Sequence, residues 1–193
     1  MGTIHETDDL LMVRTRQGDR ASFDTLVIRH RDGLVNYLTH LTRSRDRAEE
    51  LAQEAFIRLY EKSHRYKPQG RLAPYLYRIA TNLFRSDTRR LKRWQLLVAG
   101  FLVSDSSPQA SPQNELLSCE IEDKVTVALS ALPVSFRAAV ILREIEGWSY
   151  EEIAQTLGCS LGTVKSRISR GRDILRTSLQ GYWIRLEKTN AAG

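Results

Sequence analysis

The sequence predicts an all-α protein of two small helical domains joined by a flexible linker, the C-terminal one a four-helix domain with a helix-turn-helix. Three observations predict it. Apolar residues recur at helical spacing along most of the chain, and no stretch alternates as a half-buried strand would. Residues 104–114, SDSSPQASPQN, are rich in Ser, Pro and Gln and lack aromatics, which is linker composition. Residues 149–172 then read SYEEIAQTLGCSLGTVKSRISRGR, two short amphipathic helices around a tight turn.

The N-terminal elements follow in order. Asp8 or Asp9 starts a first helix with Leu10, Leu11 and Val13 apolar, ending at Gly18. A second runs from about Ser22 to Thr42, with Phe23, Leu26, Val27, Leu34, Tyr37, Leu38 and Leu41 inward, and Gly33 weakens its middle. A third starts near Asp46 and reaches about His64. Lys67-Pro68-Gln69-Gly70 breaks the chain, and a fourth helix starts near Pro74 and runs to about Trp94. Beyond the linker, helices are expected near 115–131 and 134–146, separated by Pro133.

In the helix-turn-helix, Ser149 and Glu152 have the spacing of a capping box, Gly158 suits a left-handed C-terminal stop, and Ser160 caps the next helix. Leu161, Val164, Ile168 and Leu175 form a stripe on that second helix. Gly162, Thr163, Ser166, Ser169 and Arg170 share the opposite face, with Lys165 on its flank. Such a face suits the DNA major groove, where Arg and Lys reach guanine O6 and N7 and hydroxyls reach bases or phosphates.

The 193 residues carry a net charge of +6, a pI near 9.5 and 41% hydrophobic content, the composition of a soluble globular chain with a preference for polyanions. The charge is uneven. Residues 1–95 hold 19 Lys+Arg against 12 Asp+Glu, residues 96–160 hold 3 against 9, and residues 161–193 hold 7 against 2. Two basic blocks around an acidic one predict two separate DNA contacts. Cys119 and Cys159 lie in no CxxC or Cys/His cluster, so a reducing cytosol is expected, with Cys159 a small packed residue of the turn. The N-terminus lacks a signal-peptide pattern, and the Leu96–Val103 apolar run is far too short to span a bilayer. His5, His30, His40 and His64 are scattered without metal-ligand spacing, so neither an enzyme, a metal nor a cofactor is expected.

Two N-terminal helices carry further faces. The third buries Ala48, Leu51, Ala52, Ala55, Phe56 and Leu59 and turns Glu50, Gln53, Glu54, Ile57 and Arg58 outward. An exposed Ile57 among acidic and amide groups fits a protein-docking face, and a solvated acidic face fits the pattern equally. The fourth packs Tyr75, Leu76, Ile79, Ala80 and Leu83 and repeats Arg78, Asn82, Arg85, Ser86 and Arg89 on another face, extended by Arg90, Lys92 and Arg93. That stripe suits phosphates, with Asn82 placed for a base edge. The preceding loop holds His64, Tyr66 and Arg71; Tyr66 fits either a stacked, unpaired base or the hairpin core.

Three blocks in this order resemble the bacterial sigma factors of the extracytoplasmic-function (ECF) group of the sigma-70 family, from Asp9 to Leu179. DRAEELAQEAFIRLY is similar to the family's core-polymerase-binding helix, YLYRIATNLFRSDTRR to its −10-element helix, and LPVSFRAAVILREIEGWSYEEIAQTLGCSLGTVKSRISRGR to its −35-element domain. The resemblance implies a sigma-2-like domain at 1–95, a linker at 96–114 and a sigma-4-like domain at 115–193. It implies a transcription initiation factor that binds core RNA polymerase and directs it to promoters. Its partners would be core RNA polymerase, through the β′ clamp helices and the β flap, promoter DNA and an anti-sigma factor. Glu50, Gln53 and Glu54, with Ile57 beside them, would dock on the clamp helices. Asn82 would lie near a flipped base of the −10 strand, and Arg85, Arg89 and Arg90 on its backbone, together with the Tyr66, Arg78 and Ser86 read from the pattern. Arg143, Lys165, Ser166, Ser169 and Arg170, with Thr163, would read the −35 element.

Two departures stand out. Tyr75 replaces a common Trp, and Ser169 and Gly171 flank Arg170 where bulkier residues are frequent, which leaves the −35 base preference open. The Leu96–Val103 run is read as an extension of the −10 helix, with packing on polymerase or an anti-sigma factor as the other uses for it.

Overall fold

Helix starts follow the capping residues. In this computed structural model, which describes residues 6–99 and 118–190 (the side chains of 92, 94–99, 118–124 and 181–190 excepted), Thr7, Asp19, Ser44 and Ser149 each accept a first-turn backbone N–H. They open α1 (Asp8–Arg16), α2 (Arg20–Thr42), α3 (Arg45–Glu61) and α7 (Tyr150–Leu157). A single 3-10 turn, Ser63–Arg65, leads to α4 (Leu72–Ala99), and α5 (Ser118–Ala131), α6 (Val134–Glu144) and α8 (Leu161–Asn190) complete the described chain. No strand occurs among the described residues.

The differences from the expected elements are local. The third helix stops at Glu61 rather than His64, because Lys62–Tyr66 tightens into the 3-10 turn. The fourth begins two residues before Pro74 and passes Trp94 to Ala99, so the expected boundary at residue 95 falls inside a helix. Leu96–Ala99 thus extend α4. The rest of the apolar run and the Ser/Pro/Gln segment lie outside the described residues. In α1, Met12 and Thr15 are buried beside Leu11, while Leu10 faces outward.

Helices α1 to α4 pack into one bundle and α5 to α8 into another, and both contribute to one continuous apolar core. Tyr37 is fully buried. Its hydroxyl shares a 2.8 Å hydrogen bond with Thr81 Oγ1, which donates to the Tyr77 carbonyl, and burial pushes the phenol well above its usual range. The bundles meet where α7 lies on α4 and where α2 faces α5 and α6.

The start of α7 is doubly tied. Ser149 Oγ accepts the Glu152 N–H at 3.2 Å, and the Glu152 carboxylate accepts the Ser149 N–H at 2.8 Å. The Ser149 bonds hold the Glu152 carboxyl below the usual range. A lowered folded pKa means the cap contributes fully above the unfolded value and is lost as pH falls through the folded one. Ser149→Ala is expected to cost about 1 kcal/mol, read as a lower midpoint in urea unfolding.

Candidate nucleic-acid interface

The helix-turn-helix is built as its residues demand. Gly158 ends α7 at φ +62°, a left-handed geometry that a side chain rarely adopts. Ser160 then caps α8 by accepting the Thr163 N–H at 3.2 Å. Val164 and Ile168 are buried, while Lys165, Ser166, Ser169 and Arg170 are exposed on one side of α8. Thr163 is half-buried, with its hydroxyl 2.9 Å from Ser160 Oγ, so it supports the cap as much as it faces outward.

Two residues of this region make contacts within the domain. Arg143 donates to the Trp148 carbonyl at 2.7 Å, and its guanidinium lies 5.0 Å from the Tyr150 ring centre. Those contacts fasten the turn between α6 and α7, so Arg143 orients the motif from within it. Gly171 does not flank the groove face. It is buried against α6, and a Cβ there would stand 2.6 Å from Val140 Cγ2. Gly171→Ala is therefore expected to overpack the α6–α8 contact by about 1–3 kcal/mol, seen as a lower melting temperature. Arg172 lies outside the predicted set. It forms two hydrogen bonds to Glu144 Oε1, at 2.6 and 3.1 Å, and pins α8 to α6. Cys159 is partly buried, with its Sγ 3.4 Å from Arg167 Nη1, in keeping with a packed turn residue.

On α4, Arg78, Asn82, Ser86 and Arg89 recur at helical spacing and form a continuous outer stripe, all four exposed. Arg85 is half-buried, and burial first, then the nearby Arg167 and Arg89, hold its guanidinium below the usual value. Arg90 is exposed and lies 3.5 Å from Asp87. Asp87 is held mainly by Arg47, whose Nη2 and Nε approach it at 2.7 and 3.0 Å and tie α3 to α4. Tyr66 lies 5.9 Å from Tyr75, ring centre to ring centre, and its hydroxyl donates to Asp9 Oδ1 at 2.6 Å. Asp9 also accepts the Gly70 N–H at 2.6 Å, so this helix-start residue also anchors the loop. Together Tyr66, Arg71, Pro74, Tyr75 and Arg78 line an open cleft of aromatic walls and cationic rims, a shape suited to a stacked base with its phosphates.

The outer face of α3 carries Glu50, Gln53, Glu54 and Ile57, with Ile57 48% exposed. Glu54 is paired to Arg58 at 2.8 Å and Glu50 to Arg47, so both acids are held outward by cations of their own helix.

Comparison with known proteins places the chain in a family. The family model described as Sigma-70 region 2 matches residues 26–94, and the one described as Sigma-70, region 4 matches residues 122–175. The ECF RNA polymerase sigma-E factor of Haemophilus influenzae is 34% identical over 182 residues, covering 90% of this chain and 96% of that protein. The ECF RNA polymerase sigma-E factor of Escherichia coli K12 is 32% identical over 186 residues, covering 90% and 95%. Among solved structures, the sigma factor RpoE in complex with the anti-sigma factor NepR from Bartonella quintana matches with a TM-score of 0.65 at 28% identity, over 82% of this chain and 96% of that one. CnrH in complex with the cytosolic domain of CnrY shares the fold at a TM-score of 0.70 and 22% identity, over 91% and 99%.

Proposed function

This chain belongs to the extracytoplasmic-function group of the sigma-70 family of transcription initiation factors, and from its three faces we propose how it does that work. Residues 1–95 act as the sigma-2-like domain, 96–114 as the connector and 115–193 as the sigma-4-like domain. The α3 face of Glu50, Gln53, Glu54 and Ile57 docks on the β′ clamp helices of core RNA polymerase, and the C-terminal domain engages the β flap. The exposed α8 side reads the −35 duplex through the major groove with Lys165, Ser166, Ser169 and Arg170. The α4 stripe and the Tyr66 cleft take the −10 segment as single strand and hold it melted.

The observation that carries this reading is the outer line Arg78, Asn82, Ser86 and Arg89 on α4. A helix-turn-helix protein that acts alone has no need of a second nucleic-acid face beside a docking helix. Each half offers few base contacts, so tight promoter binding depends on polymerase spacing the two and raising their effective concentration. Polymerisation chemistry belongs to the polymerase. The proposed site of action is the cytoplasm, and no helix among the described residues is long and apolar enough to cross a membrane. An anti-sigma factor is the proposed regulator, as in the Bartonella quintana complex.

The test is footprinting of a promoter fragment with the chain, with core polymerase and with both. Protection of −10 and −35 segments is expected only with both. A footprint by the chain alone at nanomolar concentration and moderate salt contradicts the reading.

A further inference from the structure

One carboxylate holds both ends of the loop that leads into α4. Asp9 Oδ1 accepts the Tyr66 hydroxyl and Asp9 Oδ2 accepts the Gly70 N–H, each at 2.6 Å. Tyr66 and Gly70 bracket Lys67, Pro68 and Gln69, so the two bonds close this turn from a single point. A carboxylate offers each donor its own acceptor oxygen, whereas an amide has one oxygen and a nitrogen that only donates. Gly70 meets the acid at φ +65°, a left-handed geometry open to glycine.

The acid is itself held from behind. Its neighbour Asp8 lies 2.7 Å from His30 Nε2 and pairs with Arg29, which ties the start of α1 to α2. Leu11 and Met12 bury the same helix in the core, and α1 also packs on the 3-10 turn that leads to Tyr66. Asp9 is half-buried where these elements meet. A rigid connection therefore runs from the bundle to one wall of the cleft, through a residue outside the cleft lining. Burial, then the bond to Asp9, push the Tyr66 phenol well above its usual range, so the hydroxyl keeps its proton and commits it to the acid. What remains for a ligand is the ring of Tyr66, with Lys67 and Arg71 on the rim.

We propose that Asp9 is a positioning residue for −10 recognition: by fixing Tyr66 and the Lys67–Gly70 turn it sets which base the cleft accepts, and it makes that base one held by stacking rather than by the tyrosine hydroxyl. Helix α1 thereby takes part in promoter selectivity without touching DNA. The inference rests on the assignment of the Tyr66 cleft to the −10 strand.

The test is run-off transcription by core polymerase with the full-length chain, on a pool with a fixed −35 element and randomised −10 bases, read as enrichment at each position. Tyr66→Ala removes the ring and is expected to flatten the preference at the bases the cleft takes by at least about fivefold, the worth of one stacked base. Asp9→Ala is expected to flatten the same positions by at least about fivefold, the worth of a hydrogen bond to a charged group. Asp9→Asn is expected to flatten them less, because its oxygen still accepts one of the two donors. Tyr66→Phe keeps the ring, and combined with Asp9→Ala it is expected to be no flatter than Asp9→Ala alone. Additive losses overturn the tether, since they mean that the hydroxyl acts on the base itself. A lower yield with the −10 preference intact also overturns it, since that is the mark of a merely structural role. Where Asp9→Ala fails to fold, Asp9→Asn decides by the same pattern: flattening at the positions that Tyr66→Ala flattens supports the tether, and wild-type preference overturns it. Wild-type preference for the Asp9 variants beside a flattened Tyr66→Ala overturns the tether alone. Wild-type preference for Tyr66→Ala overturns the cleft assignment and the tether with it.

Discussion

Glu54→Lys is expected to weaken assembly with core RNA polymerase by at least about tenfold, because a like charge placed across a complementary interface is strongly unfavourable. Glu54 is half-exposed on the outer side of α3, one turn from the exposed Ile57, and its carboxylate is held outward by Arg58 at 2.8 Å. Lysine keeps the helix but reverses the charge and sets two cations side by side at i and i+4. The buried side of α3 (Leu51, Ala52, Ala55, Phe56 and Leu59) is untouched, so folding should change by only a few tenths of a kcal/mol. Co-elution with core enzyme in size-exclusion chromatography measures it, with circular dichroism to show that the mutant keeps its helicity. A folded mutant that co-elutes as wild type contradicts the docking assignment.

Arg170→Ala is expected to reduce transcription from promoters that depend on a −35 element about tenfold to a hundredfold, the worth of one good base contact at roughly 1–3 kcal/mol. Arg170 is exposed on α8 beside Ser166 and Ser169, away from the Val164 and Ile168 stripe that packs on the rest of the domain. Its neighbours along the helix are committed elsewhere, Arg172 to Glu144 and Arg176 to Asp173. The loss should be confined to −35-dependent promoters, because the α4 stripe lies on the other bundle. Equal losses on promoters with and without a −35 element would contradict this assignment.

Helix positions and caps are legible in the sequence because they are local. Ser149, Glu152 and Gly158 fix the helix-turn-helix within ten residues, and the observed bonds and positive φ follow their chemistry. Two glycines within helices are not legible in this way. Gly33 reads as a weak point of α2 and Gly171 as an oddity beside Arg170, yet each marks a close approach by a residue far along the chain, Tyr77 and Val140. Arg143 shows the same limit on the functional side. The family resemblance implies a −35 role for it, and the Trp148 carbonyl and the Tyr150 ring become its partners only once the α6–α7 turn is closed. The Asn36–Glu146 contact joins residues 110 positions apart, and helical periodicity carries no signal for it. The face residues of α3, α4 and α8 lie within reach of sequence reasoning because exposure follows the helical period.

Above all, this chain is held to give core polymerase its promoter choice. The decisive experiment is run-off transcription on a randomised promoter pool, with core enzyme alone and with the chain added. Transcripts enriched for one paired −35 and −10 sequence, and present only with the chain, are expected. A yield no higher than that of core enzyme alone would contradict that role.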